Sequence, residues 1–252
     1  MLSQERYNLI MENLRVKGNV SMRELVELLG VSMDTVRRDI KYLESIGNLK
    51  KVYGGASLPN QIVTNHSFVN RKNSNVVEKQ EISNKAIQYI KEYQAIALNA
   101  GTTNVEFAEE LVKSFDCLTV ITNSLLIANI LNTKKDFTVI VTGGFLDHEE
   151  HSFYGNGVMD NLHQFYADIA FINVNAISLE KGITDFRQGE VEVINAFIKN
   201  VEKVIVLADS SKFETISYLK ICDLDKVDVF LTDSNINPQL VKQYKEKNVI
   251  IK

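Results

Sequence analysis

The feature that most limits what this chain can fold into is a series of short, nearly unbroken apolar runs rich in β-branched residues. AIAL (95–98), LTVI (118–121), FTVIV (137–141), DIAFI (168–172), KVIVLA (203–208) and VDVFL (227–231) share this character, which returns at 248–251. A strand with one wet face alternates polar and apolar residues, whereas a strand covered on both faces does not need to. Helix-length segments separate most of the runs. From Glu78 onward the expectation is therefore an α/β fold with a mainly parallel sheet.

The short polar segment after each run carries the chemistry. These segments are Asn99-Ala-Gly101-Thr102-Thr103, Thr122-Asn123-Ser124, Thr142-Gly143-Gly144, Asn173-Val-Asn175, Asp209-Ser-Ser211-Lys212 and Thr232-Asp233. The C-terminal edge of an open α/β sheet is where such folds bind ligands. Gly101-Thr102-Thr103 opens a helix whose free amides, hydroxyls and dipole suit a phosphate, and Lys212 can add a point charge. The candidates for binding an effector are Asn99, Gly101, Thr102, Thr103, Asn123, Gly143, Gly144, Asn175, Asp209, Ser211 and Lys212. Any one such turn is equally well read as ordinary capping chemistry. Their gathering on one edge is what points to a small-anion pocket.

The first sixty residues have a different period. Tyr7, Ile10, Met11 and Leu14 repeat at helical spacing up to Gly18. Ser21-Met-Arg-Glu24 is a capping-box pattern that opens a second helix, and Gly30 stops it. Ser32 then caps a third helix, with Gly47 just beyond its end. Helix, short glycine turn, helix is a helix-turn-helix arrangement, although a plain three-helix fragment has the same periodicity. At ~100° per residue, Val36, Ile40 and Leu43 share one stripe, Asp34, Arg38 and Lys41 lie nearly opposite, and Arg37 flanks them. Such a face suits a helix laid in the major groove. Leu49–Tyr53 reads as a short strand and Gly54-Gly55 as a turn, a wing that sets Lys50 and Lys51 on phosphates. Ser32, Asp34, Thr35 and Tyr53 complete the candidate DNA contacts.

The net charge of −4 at first argues against nucleic acid. Residues 1–57, however, hold nine Lys+Arg against seven Asp+Glu, and the remainder holds 19 against 25, so the basic excess sits in the N-terminal fifth. Residues 58–77 are polar, contain Pro59 and read as a linker. The expected domains are 1–57, 58–77 and 78–252. Cys117 and Cys222 lie far apart among apolar residues, which suggests buried reduced thiols. With no apolar stretch of membrane length, a cytoplasmic protein with no membrane partner is expected.

The stretch VSMDTVRRDIKYLESIGNLKKVYGGA resembles the winged helix-turn-helix of the DeoR family. Val31, Ser32, Thr35, Arg37, Arg38, Asp39, Leu43, Glu44, Gly47, Leu49 and Gly54-Gly55-Ala56 fit its pattern, while Lys51 and Tyr53 depart from it. The order AGTTNVEFAEEL, VITNSLLIANIL, VTGG, FYGNG, DIAFINVNAISLEKGIT, VIVLADSSKF is similar to the sensor domain of the same family. This resemblance implies a bacterial regulator, usually a repressor, with a sensor domain of ribose-5-phosphate isomerase-like fold that binds phosphorylated sugars or related metabolites. It places Gly101, Thr102, Thr103, Asn123, Gly143, Gly144 and Lys212 in the pocket, and Phe68 and Arg71 in a docking segment, for which an exposed connector is the competing reading. Asn99, Asn173, Ala176 and Asn195 depart from the family pattern near that pocket, so an atypical ligand or a weaker phosphate grip is expected beside harmless drift.

A sugar-phosphate isomerase with a fused N-terminal domain is the alternative, as is a DNA-binding protein with a silent sensor. The isomerase reading lacks the runs such enzymes carry. The loop carboxylates Asp147, Glu149, Glu150 and Asp185 form no pair supported by spacing. His148-Glu-Glu-His151 is better read as a solvated acidic loop than as a metal site. The expectation is a non-enzymatic regulator with no cofactor and no metal. Its partners would be operator DNA, a phosphorylated metabolite and further copies of itself, as a dimer or tetramer.

Overall fold

Local signals set the N-terminal elements. The chain is described by a computed structural model covering residues 3–17, 19–46, 48–52, 55–57 and 67–252. Gly18, Gly47, Tyr53, Gly54 and Pro59 lie outside the described residues, as does the side chain of Lys50. Contacts divide the chain into two compact units, 1–61 and 62–252. In the first, α1 (Ser3–Lys17), β1 (Asn19–Ser21), α2 (Met22–Leu29), α3 (Met33–Ser45), β2 (Lys50–Val52) and β3 (Gly55–Ser57) succeed one another. Ser21 and Glu24 form the reciprocal capping box, and Gly30 ends α2 in the left-handed region at φ 62°. Ser32 accepts the Thr35 amide at the start of α3.

Ile10, Leu14, Leu25, Leu29, Val36, Ile40, Leu43 and Leu49 close a small core. Strand β3 pairs antiparallel with both β1 and β2, so a three-stranded wing completes the unit. Gly55 therefore belongs to a strand. A Cβ there would stand 2.2 Å from the Val20 carbonyl oxygen, and a backbone atom cannot step aside. Gly55→Ala is expected to cost about 1–3 kcal/mol. Calorimetric melting of the full chain would show this as a lowered transition of the first unit with the second unmoved.

In the second unit, α4 (Phe68–Asn73) and α5 (Val76–Ile87) precede β4 (Ala95–Leu98), α6 (Thr102–Ser114), β5 (Thr119–Thr122), α7 (Leu125–Leu131) and β6 (Thr138–Val141). The hairpin β7 (Phe145–Asp147) and β8 (Ser152–Tyr154), then α8 (Asn156–Leu162), lead to β9 (Ala167–Asn173). After β10 (Ala176–Ser178) and β11 (Gly182–Asp185) come α9 (Gln188–Lys199), β12 (Val201–Leu207), β13 (Leu219–Cys222), β14 (Val229–Leu231) and α10 (Pro238–Glu246). The main sheet runs β14-β12-β9-β4-β5-β6 and every pair in it is parallel.

From β14 to β5 both faces of this sheet are covered, which is why those strands read as nearly unbroken apolar runs, while the edge strand β6 is half-exposed. Ile96 and Leu98 face one core, with Phe107, Leu111 and Ile82 of the covering helices. Ala97 faces the other, with Val193, Phe197 and Tyr244. Three expectations are corrected. The 248–251 run forms no strand: Asn248 has φ 60° and only Ile251 bridges, to Phe230. Cys117 and Cys222 are free but half-buried, and burial pushes the Cys222 thiol up to about 12. Part of the segment read as a linker is folded, since α4 and the start of α5 lie within it. No helix among the described residues is long and apolar enough to cross a membrane.

Candidate DNA-recognition face and effector pocket

Burial of Val36, Ile40 and Leu43 orients α3 so that Asp34, Arg37, Arg38 and Lys41 are exposed. Asp34 engages Arg37 at 3.1 Å, an exposed i,i+3 pair. Arg38 donates to the Asp34 carbonyl at 3.4 Å, and neither Arg38 nor Lys41 has a carboxylate partner among the described residues. Ser32 and Thr35 are engaged with each other, their hydroxyls 3.0 Å apart. In the wing, exposed Lys51 donates its amide to Glu44 Oε1 at 2.8 Å, fixing β2 against α3. Lys50 precedes it in β2, and Tyr53 falls outside the described residues.

Sequence reasoning gave Asp39 no role beyond the family pattern. It is buried and receives both arms of Arg6, Nε to Oδ2 at 2.6 Å and Nη2 to Oδ1 at 2.9 Å. This bidentate pair ties α1 to the buried side of α3, opposite the exposed cations. A charged residue next to Arg37-Arg38 on a helix gives no sequence signal that distinguishes it from a surface acid.

In the second unit each candidate effector residue lies just past the C-terminal end of a parallel strand. Gly101, Thr102 and Thr103 come after β4 and begin α6, with both threonines buried. The Thr102 and Thr103 amides meet no acceptor among the described residues. Gly101 is required by a close approach: a Cβ there would fall 1.7 Å from Asn173 Oδ1. Asn99 has its carboxamide fully engaged. It donates to Ala100 O, Asn173 O at 2.9 Å and Glu190 Oε2 at 3.1 Å, and accepts from Asn173 N at 2.7 Å and Asn104 Nδ2 at 3.1 Å. Asn123 accepts from Ala100 N at 2.9 Å and donates to Glu190 Oε1 at 2.7 Å.

Gly143 and Gly144 link β6 to β7 with φ of 68° and 104°. Asn175, after β9, is buried with its Nδ2 unpartnered among the described residues, as are the hydroxyls of Thr142 and Thr232 at the ends of β6 and β14. Asp209 accepts from Ser211 N at 3.1 Å and Asn75 Nδ2 at 3.0 Å. Half-exposed Lys212 has no ion-pair partner among the described residues.

A cavity of about 450 Å³ opens beside this edge, and none of the candidate residues lines it. Its walls are the β7–β8 hairpin (Asp147, Glu149, Glu150, Ser152, Tyr154) and the β11–α9 turn (Phe186 to Glu190), with Tyr218. Asn99 and Asn123 instead stand behind it and hold Glu190. Burial pushes the Glu190 carboxyl up, against the pull of Arg187 and the two carboxamides. Arg187 is buried and grips Asp185 with Nε and Nη2 at 2.9 and 2.8 Å, while Nη1 reaches the Ala100 carbonyl at 3.1 Å. Asp185 is held below the usual carboxylate range because Arg187 and two backbone amides outweigh its burial.

The reading of 148–151 as a solvated acidic loop is corrected at Glu150. It is 6% exposed and ion-paired with Arg71 of α4. Phe68 of the same element is 4% exposed and the Arg71 side chain 10%, so the docking segment packs on this unit and is not an exposed connector. The only hint in the sequence was the family-like F-x-x-R spacing.

Comparison with known proteins matches a family model described as the DeoR-like helix-turn-helix domain over residues 6–62 and one described as the DeoR C-terminal sensor domain over 74–234. The chain is 32% identical to the HTH-type transcriptional regulator GolR of Listeria innocua, over 100% of this chain and 99% of that one. It is 31% identical to the glycerol-3-phosphate regulon repressor of Escherichia coli, over 93% and 92%. Among solved structures, ribose 5-phosphate isomerase A of Methanocaldococcus jannaschii aligns over 56% of this chain and 55% of that one, with 18% identity and a TM-score of 0.41. With both family models matched in order on one chain, this protein belongs to the DeoR family of DNA-binding transcriptional regulators.

Proposed function

We propose that the chain is a repressor of a sugar or carbon-metabolism operon, not an enzyme, and that it binds its operator as a homo-oligomer through α3 and the wing. Operator half-sites mirror protein symmetry, so two copies of α3 would enter successive major grooves. A phosphorylated sugar or related metabolite binds the sensor unit and shifts the DNA-binding population, which requires different affinities for the two states. The observation that carries this reading is the pair of exposed α3 cations without a carboxylate partner among the described residues, Arg38 and Lys41, in a chain whose α6 N-terminus offers free amides. A relative named as a glycerol-3-phosphate regulon repressor supports a phosphorylated effector.

Two measurements test it. Selection from a random duplex library should return an operator, and Lys51→Ala should lower the salt slope of its binding by about one. An unchanged slope would remove Lys51 from the phosphate contacts. Thermal shift with glycerol 3-phosphate, fructose 1-phosphate and glucose 6-phosphate should find a stabilising ligand, since binding to the folded state raises the melting temperature. No stabilisation by any of them would favour a silent sensor, and turnover of any would favour the enzyme reading.

A further inference from the structure

Arg71 joins the entry of the sensor unit to the wall of the cavity. It lies on α4, the first described element after the DNA-binding unit in the sequence. Its guanidinium donates to both oxygens of Glu150 and lies 5.5 Å from the Phe186 ring centre, and Glu150 and Phe186 both line the cavity. Arg187, the third member of that wall, approaches Glu150 Oε2 at 3.5 Å. Glu150 is thus one carboxylate shared by two arginines, one fixed within the pocket by Asp185 and the other carried by α4. α4 has other fastenings, among them an edge-on contact of Phe68 with His151. Phe68 is in the core, and the Lys79 ammonium holds the carbonyls of Arg71, Lys72 and Ser74.

The cavity wall has its own preference. Asp147, Glu149 and Glu150 bring acceptors, Tyr154, Tyr218 and Phe186 bring ring surfaces, and the cation among them, Arg187, is already engaged, as is Glu190 by Asn99 and Asn123. Acceptors with aromatic faces suit hydroxyl donors on a sugar or polyol, whereas a phosphate is better placed at the free amides of α6.

We propose that this cavity takes the polyhydroxyl end of the effector and that Glu150 couples it to the DNA-binding unit, accepting from ligand hydroxyls in competition with Arg71. This rests on the reading of the chain as an effector-controlled repressor. A ligand can move an equilibrium only by its differential affinity for the two states, and Glu150 supplies that difference because it cannot satisfy Arg71 and the ligand equally. With the cavity empty, Arg71 holds α4 on the wall. With it filled, that hold weakens, and the segment leading to the DNA-binding unit starts from a different anchor.

The test uses the full chain and the operator selected by the wild type. Glu150→Gln and Arg71→Gln should each change operator affinity at least tenfold, in the same direction, without any ligand. The double variant should go no further than Glu150→Gln alone, because that change already removes the Glu150–Arg71 ion pair as well as the longer approach of Arg187. Operator affinities within twofold of wild type for both single variants would overturn the proposal, as would fully additive effects. In a second arm the wild type is titrated with fructose 1-phosphate, glucose 6-phosphate and glycerol 3-phosphate, with inorganic phosphate as the anion control. Any of the three that shifts wild-type operator affinity should leave Glu150→Gln within twofold of its ligand-free value. An equal shift by inorganic phosphate, or a retained response in Glu150→Gln, would overturn the proposal. Silence of the wild type towards all three counts against the effector reading alone, and the ligand-free arm still decides the Glu150–Arg71 coupling. Selection of no operator by the wild type would overturn both.

Discussion

Arg187→Met is expected to remove about 3–5 kcal/mol from the stability of the sensor unit, the scale for breaking a buried ion pair from one side. The arginine is buried and so is its partner. Asp185 is 0% exposed, and Glu150 is nearly so. Methionine fills a similar volume but leaves the Asp185 carboxylate, among the described residues, with the Phe186 and position-187 amides. Urea titration monitored by tyrosine fluorescence suits a chain with nine tyrosines and no tryptophan. A loss below about 1 kcal/mol would mean that the pair is solvated and not part of the packed wall.

The pH dependence gives a second, independent sign. In the wild type Asp185 is held below its ordinary value, so its contribution is present above the unfolded carboxylate value and is lost as pH falls through the folded one. In Arg187→Met burial acts unopposed by the guanidinium and the folded value moves upward. The stability of the variant should then fall as pH rises through and above the ordinary carboxylate range. Parallel stability curves for the two proteins would show that Arg187 does not set the charge of Asp185.

Arg38→Ala is expected to cost about 1–3 kcal/mol of operator affinity and to relax preference at one base position. Arg37 is a contrasting control, because it is paired with Asp34 and lies on the flank of the helix. Arg37→Ala should weaken binding more evenly across sequences, as a phosphate contact does. Competition binding against single-base operator variants separates the two. Identical profiles for Arg38→Ala and wild type would place some other residue of α3 on the bases.

The legible parts of the fold share one property: their signal is local. Ser21 with Glu24, Gly30 and Ser32 mark helix ends because capping involves residues three or four apart. Five of the six main strands were readable because burial on both faces writes itself into each strand's own composition, while the edge strand β6, half-exposed and ending on an exposed Val141, was readable from its β-branched residues. The 248–251 run had that composition but only bridges β14 at Ile251, since the left-handed Asn248 leaves too few extended residues before the backbone bonds to Phe230 and Thr232.

The pocket was legible only in part. The strand-end polar residues do collect on one edge, because parallel strands share a direction. Their use was not readable. Asn99 and Asn123 spend their hydrogen bonds on Glu190, 91 and 67 residues away. Glu150 looked like one acid in a loop of acids until its partner, 79 residues upstream, was placed against it.

The class of each unit was therefore written in the chain: a helix-turn-helix with its exposed cations and a parallel sheet with a polar edge. Periodicity and capping act within a few residues and need no long-range information. Which charges are buried, and whom they face, was set by the packing of distant segments. The pairings of Arg6 with Asp39, Arg71 with Glu150 and Arg187 with Asp185 and Glu150 were not readable in the sequence, even where the family pattern marked Asp39 and Arg71. An ion pair leaves no periodic trace, and whether a charge is solvated depends on what distant chain covers it.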